Sequence, residues 1–408
     1  MIDVLTGIQI AVLGVSYLAL GIGYVPGLRM NRATIALVSS AVLIALGTLS
    51  LDEAWRAIDA NTIVFLLSMM VVNAYLSYAG FFKLALLYLL RFTRSPLGLL
   101  GLLTVGTGIL SALFLNDTLA LVSTPLTVQL TRSLKLNPVP YLLAIAGATN
   151  IGSVATLSGN PQNILVGSFS GISYSEFALA LAPVAMVGLG LQVGLLWLLY
   201  PDVRSLHPCP PPHLPRFRVY RPVLIKTLIV ASLLLVAFVV GLPLAESAFL
   251  AAAVLLVTRR IKPQRVLQQV DWSLLVMFSG LFILTRCVQE LDLLAGVSAW
   301  VAHPAGLLAV TAIVSNLISN VPAVLLLQGL ISPEATQSWL LLAAGATLAG
   351  NLTLFGAVAN LITVEAAAAA GYRLSFWQHF RFGAPLTLMT LGLTYVWVGG
   401  LTSAALPK

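Results

Sequence analysis

Charged side chains are scarce in this chain. Asp, Glu, Lys and Arg make up 8% of its 408 residues, against about 25% in soluble proteins. Two or three soluble domains of that length could not be wetted by so few. Cysteine is as sparse: Cys209 and Cys287 form neither a disulfide framework nor a metal-ligand spacing. Enzyme signatures are missing, with no His-Glu-x-x-His helix, no Gly-x-Ser-x-Gly elbow and no Gly-x-x-x-x-Gly-Lys phosphate loop. Without an ATP motif, any pumping draws on an ion gradient or a separate ATPase. The net charge of +8 does not indicate nucleic acid, because the basic residues sit in short loops between apolar runs.

What the chain has is apolar sequence, 59% of its residues, with a mean hydropathy of +1.00. Many runs approach the roughly 18 to 20 apolar residues that cross a bilayer. The pattern predicts an all-α integral membrane protein of about ten spans: 4–26, 33–50, 61–79, 139–171, 177–200, 222–241, 243–258, 272–289, 337–371 and 383–402. The first has no basic residue before it and no small-residue cleavage site, so it reads as a retained span. Phe81 to Arg94, with Lys83 and Arg91 among leucines, reads as interfacial. Segments 96–134 and 304–333 each have two apolar arms around a polar tip, with a second arm too short for a clean pair of spans. Both read as re-entrant hairpins. Spans 139–171 and 337–371 are long because each is a broken helix.

Charge bias tests this layout. With the amino terminus outside, every basic residue falls inside except Arg56, Arg286 and Lys408, and Asp52, Glu53, Asp59, Glu176, Glu290, Asp292 and Glu334 fall outside. The threading relates a first half, 1–200, to a second, 222–408, by inverted topology, the arrangement behind alternating access in many transporters. Ile58-Asp59 matches Val270-Asp271, and Ala146-Gly147-Ala148-Thr149 matches Ala344-Gly345-Ala346-Thr347. The Pro-rich stretch 201–221 reads as a stiff cytoplasmic linker. Its His207, Cys209 and His213 lack a fourth ligand for a metal.

Polar interruptions at membrane depth are tolerated only where they line a protein-enclosed cavity. The hairpin tips, Asn116-Asp117-Thr118 and Asn320-Val321-Pro322, are such places. Asp117 is the sharpest signal, since a carboxylate in the membrane is costly and points to function. The bland reading is a cap for a helix beginning near Leu119. Pro322 suits a first helical turn. The first broken span adds Thr149, Asn150, Gly159, Asn160 and Asn163, and the second adds Asn351, Thr353, Gly356 and Asn360. Gly152 and Gly159 permit close backbone approach. A Na⁺ ion is expected near Asn116, Asp117 and Asn150, and near Asn320 and Asn351; no cofactor beyond a coupling Na⁺ or H⁺ is expected. Glu365 reads equally as vestibule or interface, and Glu246 and Arg286 as snorkelling residues.

At these residues the chain resembles the ion transporter superfamily of divalent-anion/sodium symporters, arsenite permeases and pink-eyed-dilution-like transporters. The resemblance rests on Asn116-Asp117-Thr118 with Thr124-Pro125, on Asn137-Pro138-Val139-Pro140, and on Asn150-Ile151-Gly152 through Gly159-Asn160-Pro161-Gln162-Asn163. In the second half it rests on Ser315-Asn316, Ser319-Asn320-Val321-Pro322, and Gly350-Asn351-Leu352-Thr353 with Asn360. It implies a homodimer with a scaffold part and a mobile transport part, whose hairpin tips and broken helices form the substrate and cation sites. Members binding dicarboxylate with Na⁺ carry Ser-Asn-Thr at both tips. The Asn-Asp tip here is closer to arsenite-permease-like and pink-eyed-dilution-like members.

The resulting expectation is an ion-coupled secondary transporter of a small anion or oxyanion, in a bacterial-type inner membrane. Arsenite or antimonite efflux and Na⁺/H⁺ antiport are the alternatives within transport. A passive channel and an intramembrane enzyme are the readings outside it.

Overall fold

The computed structural model describes residues 4–25, 27–93, 95–205 and 219–400, and every regular element among them is helical. The first half holds α1 (Val4–Ile22), α2 (Arg32–Ala45), α3 (Leu51–Ala57), α4 (Ala60–Ala79) and α5 (Phe81–Leu90). It continues with α6 (Pro96–Leu113), α7 (Asn116–Ser133), α8 (Val139–Ser153), α9 (Pro161–Ser170) and α10 (Tyr174–Leu199). The second half holds α11 (Arg221–Val240), α12 (Leu244–Leu256), α13 (Pro263–Leu267), α14 (Trp272–Glu290) and α15 (Ala295–Val301). After these come α16 (Pro304–Ile318), α17 (Asn320–Gln328), α18 (Thr336–Ala349), α19 (Val358–Ala369) and α20 (Phe376–Gly399). Most of the linker, including His207, Cys209 and His213, lies outside the described residues.

Helices begin where side chains satisfy the unpaired N–H groups of a first turn. Asp59 Oδ1 accepts from Thr62 N at 2.7 Å to start α4, and Asp271 Oδ1 accepts from Leu274 N at 2.9 Å to start α14. The paired Ile58-Asp59 and Val270-Asp271 sequences are therefore equivalent helix starts. Gly80 and Gly241 close α4 and α11 at φ 83° and 88°, a left-handed conformation that glycine adopts without strain.

Burial follows composition. Helix α8 is apolar or small on all sides, and its every residue is buried, as are those of α18 from Trp339 onward. Helix α11 instead exposes a row formed by Ile225, Ile229, Leu233, Val236 and Val240, a surface suited to lipid.

Seven described helices are long and apolar enough to cross a bilayer: α1, α4, α6, α10, α11, α14 and α20. The expected spans 33–50 and 243–258 are shorter. α2 has 14 residues and ends at a turn through Gly47 (φ 73°), and α12 has 13. At 1.5 Å rise per residue each is about 20 Å long. Each packs against the long helix of the opposite half, α2 on α14 and α4 on α12.

The expectation of short hairpin arms holds for the second hairpin, with arms of 15 and 9 residues. It fails for the first, whose arms have 18 each. What makes the first a hairpin is the extended Phe114-Leu115 corner and the anchoring of its tip inside the protein. The helices of both hairpins pack on the two broken helices, α6 on α8 and α16 on α18, with α7 against α19 and α17 against α9. This group meets the α1–α4 and α11–α14 group along α1/α16, α4/α9, α14/α17 and α10/α11.

Candidate functional site

Each broken helix is held open by one asparagine. Asn163 Nδ2 donates to Ser153 O at 3.0 Å and to Thr156 O at 2.8 Å, the carbonyls that the break between α8 and α9 leaves without helical partners. Asn360 Nδ2 donates to Gly350 O at 2.8 Å and Thr353 O at 3.0 Å across the break between α18 and α19. The same donor at the same sequence offset meets the demand that buried backbone groups be paired. Asn160 adds an N-cap for α9, its Oδ1 accepting from Asn163 N at 2.9 Å.

The two breaks are also tied to each other. Asn150 Nδ2 donates to Asn351 Oδ1 at 2.9 Å and Asn360 Oδ1 at 3.1 Å. On the reciprocal side, Thr347 Oγ1 accepts from Asn160 Nδ2 at 3.3 Å and Gln162 Nε2 at 3.2 Å, and donates to Asn163 Oδ1 at 3.4 Å. Asn150 and Thr347 thus occupy equivalent positions. This corrects the sequence match, which paired Thr149 with Thr347. Hairpin serines confirm the slip: Ser111 Oγ donates to Thr149 O at 2.6 Å, whereas Ser315 Oγ reaches Ala346 O at 3.4 Å. The identical Ala-Gly-Ala-Thr tracts lie one residue out of structural register.

The hairpin tips rest on these breaks. Asn116 N donates to Gly159 O at 3.1 Å. Asn320, with its amide nitrogen turned toward its acceptors, donates to Gly356 O at 2.9 Å and Ala346 O at 3.1 Å. Glycine is required at both receiving positions. A Cβ on Gly159 would strike Ser153 O, and one on Gly356 would stand 2.8 Å from Asn316 Oδ1 and Gly350 O. Thr353 Oγ1 donates to Asn316 Oδ1 at 3.4 Å, linking the second break to its hairpin.

Asp117 lies in the first turn of α7, which begins at Asn116 and not near Leu119, and no side chain caps that helix. The cap reading is therefore not realised. Asp117 instead lines two cavities. A gap of about 40 Å³ between the tips is walled by Asn116, Asp117, Ser319, Asn320, Pro322 and Arg32. A wider cavity of about 490 Å³ is walled by Asp117, Thr118, Asn73, Ser77, Gln269 and Asp271. Pro161 borders both.

The predicted residues therefore fall into two sets. Asn116, Asp117, Thr118, Asn320 and Pro322 line cavities. Thr149, Asn150, Gly159, Asn160, Asn163, Asn351, Thr353, Gly356 and Asn360 form the bracing behind them. Glu365 is exposed and lines neither cavity. Arg286 pairs with Glu290 at 2.5 Å near the end of α14. Sequence reading passed over Arg32, counted as a loop charge, and Asn73, a lone amide in an apolar helix. Asp271 enters the sequence reading only as part of the repeat match with Asp59.

The tips differ in what they offer an ion. Asn116 Oδ1 is buried without a partner, an oxygen suited to a cation or a hydroxyl donor, beside the Asp117 carboxylate. The second tip carries no carboxylate beside Asn320. In the break behind it Asn351 Nδ2 is buried without a partner, a donor that offers a cation nothing. Among the described residues no group of three His, Cys, Asp or Glu side chains is placed to hold a metal.

Known proteins resemble this chain. The silicon efflux transporter LSI3 of Oryza sativa subsp. japonica is 30% identical over 92% of this chain and 94% of its own length. The 46 kDa membrane protein of Mycobacterium leprae is 29% identical over 91% and 94%. Among solved structures, the YdaH transporter of Alcanivorax borkumensis superposes with a TM-score of 0.61 over 97% of this chain and 98% of that one. At 14% identity that likeness speaks for the fold alone. The model of the citrate transporter family, CitMHS, matches residues 18–343. With the tips, the paired breaks and that match in place, the chain belongs to the citrate transporter family and is a membrane transporter.

Proposed function

We propose that the protein is an ion-coupled secondary transporter that moves a small oxygen-rich solute by alternating access, with Asp117 as the coupling-ion residue. The observation that carries the reading is the position of Asp117, which borders both the gap between the tips and the wider cavity. A carboxylate at that junction can hold Na⁺ or H⁺ and change its contacts as one cavity closes and the other opens. Asn116 and Asn320, on the helix ends at the tips, would orient the solute.

Sequence reading ranks an anion first and a neutral metalloid second. Charge placement favours the reverse order. Asp117 and Asp271 line the wider cavity with no Lys, Arg or His in its wall, and Arg32 lines only the narrow gap. That lining disfavours an approaching anion and suits an uncharged hydroxylated acid. The name of the rice relative, a silicon efflux transporter, agrees with such a solute.

The wider cavity reaches Ser77 near the end of α4 and Gln269 before α14, beside the loop of Arg259–Arg265 that charge bias assigns to the cytoplasm. On that threading the conformation is inward-open, with the amino terminus outside. A homodimer in a bacterial-type plasma membrane completes the proposal.

The test is reconstitution in liposomes, with silicic, boric and arsenious acids set against citrate and sulfate under imposed Na⁺ or pH gradients. Flux of an uncharged acid that needs one gradient and is lost in Asp117→Asn is expected. Gradient-independent flux would sink the coupling, and flux of anions alone would sink the uncharged solute.

A further inference from the structure

The wider cavity contains a group that the fold does not explain. Asn73 sits within α4, 2% exposed, and neither its Oδ1 nor its Nδ2 has a hydrogen-bond partner. Buried amides left unmet on both atoms are rare, because each orphaned group forfeits the hydrogen bonds water would give it. Its neighbours Met69, Met70, Val71, Val72, Ala74 and Leu76 are all buried and apolar or small. Leucine at position 73 would serve the packing and leave nothing unmet. Interhelical glue is not the explanation either, since glue requires a partner across the interface.

Asn73 belongs to the cavity wall. Ser77 stands one turn further along the same face of α4 and lines the same space. The same space is lined by Asp117 and Thr118 at the first tip and Asp271 at the start of α14. The wall therefore joins groups that both give and accept hydrogen bonds, the amides of Asn73 and Gln269 and the hydroxyls of Ser77 and Thr118, to two carboxyl groups that only accept when ionised.

We propose that this wall is an antechamber site, read by Asn73, that holds a small uncharged hydroxyl-bearing solute before it reaches the tips; the proposal rests on the transport reading above. Satisfying the carboxamide selects the ligand. A bare cation uses oxygens and leaves Nδ2 unmet. A fully deprotonated anion meets Nδ2 and leaves Oδ1 unmet, and any anion shares the cavity with the Asp117 and Asp271 side chains. A solute with hydroxyl groups accepts from Nδ2, donates to Oδ1, and donates its remaining hydroxyls to the carboxylates. Asn73 would then be a specificity-determining residue on the α4 side of the cavity, away from the hairpins and broken helices.

The test uses liposomes containing the full chain, with silicic acid as the probe and initial rates measured against its concentration. Asn73→Leu is expected to raise KM at least tenfold while the saturating rate stays within twofold. Asn73→Ser, which keeps a donor and an acceptor, is expected to recover most of that loss. The melting temperature of Asn73→Leu in detergent is expected to equal or exceed that of the wild type, because an unmet amide has been removed. A structural role for Asn73 would lower it. An unchanged KM in Asn73→Leu overturns the proposal and leaves Asn73 a binder of water only. Should Asn73→Leu fail to fold, Asn73→Ala must show the same rise in KM, and its absence overturns the proposal equally. If wild-type vesicles move no uncharged solute, the transport reading falls first. If they do and the Asn73 variants match them, the antechamber alone falls.

Discussion

At the first hairpin tip the chain turns into α7 through Leu115 at φ −56° and ψ 125°, backbone that any residue adopts, and presents a carboxylate. At the second tip it turns into α17 through Ser319 at φ 82° and ψ 159°, a region almost restricted to glycine. There Val321 stands where the first tip has Asp117, and Pro322 where it has Thr118. Behind the tips, Asn163 and Asn360 brace their breaks with the same bonds at the same offsets. The symmetric part is the part that must satisfy backbone in the membrane interior. The asymmetric part faces the cavities, where the chemistry of transport would be decided.

The sharpest way to break that comparison is to exchange the tips. Asp117→Val with Val321→Asp keeps the composition of the gap but moves the acid away from the wider cavity, whose wall includes Asp117 and not Val321. Gradient-driven flux is expected to fall by about two orders of magnitude, read as a change in rate at constant protein. Recovery in the double variant would show the tips to be interchangeable.

Next in size are changes at Gly152, whose counterpart in structural register is Ala349. A Cβ on Gly152 would run into the Gly108 backbone, so Gly152→Ala is expected to cost about 3 kcal/mol by overpacking. Ala349→Gly should cost only about 1 kcal/mol, the helix-propensity difference. Thermal unfolding in detergent reads both. Asn150→Ala removes both donations that join the breaks and is expected to cost about 2 kcal/mol. Its counterpart Thr347→Val, whose bonds are longer, should cost about 1 kcal/mol. Equal losses would deny that Asn150 carries most of the joint. Smallest is Ser319→Gly, which relieves the second tip and should stabilise the protein by about 1 kcal/mol. Leu115→Gly at the first tip relieves nothing and should destabilise it.

Much of this was legible in the sequence. Asparagines and prolines inside apolar runs announced both breaks and both tips, since such residues at membrane depth have few other uses. The match of Asp59 with Asp271 held because both cap a helix, and capping is local chemistry. The register of the repeat was not legible through Ala-Gly-Ala-Thr, because small residues recur in any close-packed membrane helix and carry no unique side chain. The bonds of Asn150 and Thr347, with those of the hairpin serines and the bracing asparagines, fixed it. Which asparagines brace and which face open space was equally hidden, since both roles need the same residue type. Arg32 read as a loop charge because its reach toward the gap depends on how α2 packs on α14, a contact between residues far apart in sequence.

The joint between the breaks limits how this molecule can deform. Asn150 holds Asn351 and Asn360 at once, so the two breaks are tied side chain to side chain along one seam. On the alternating-access reading proposed above, a working stroke that keeps those bonds would carry both hairpins together as one carriage, sliding where α1 meets α16 and α14 meets α17. Spectroscopic labels on the two tips should then keep a constant separation through the cycle, while each changes its distance to α4.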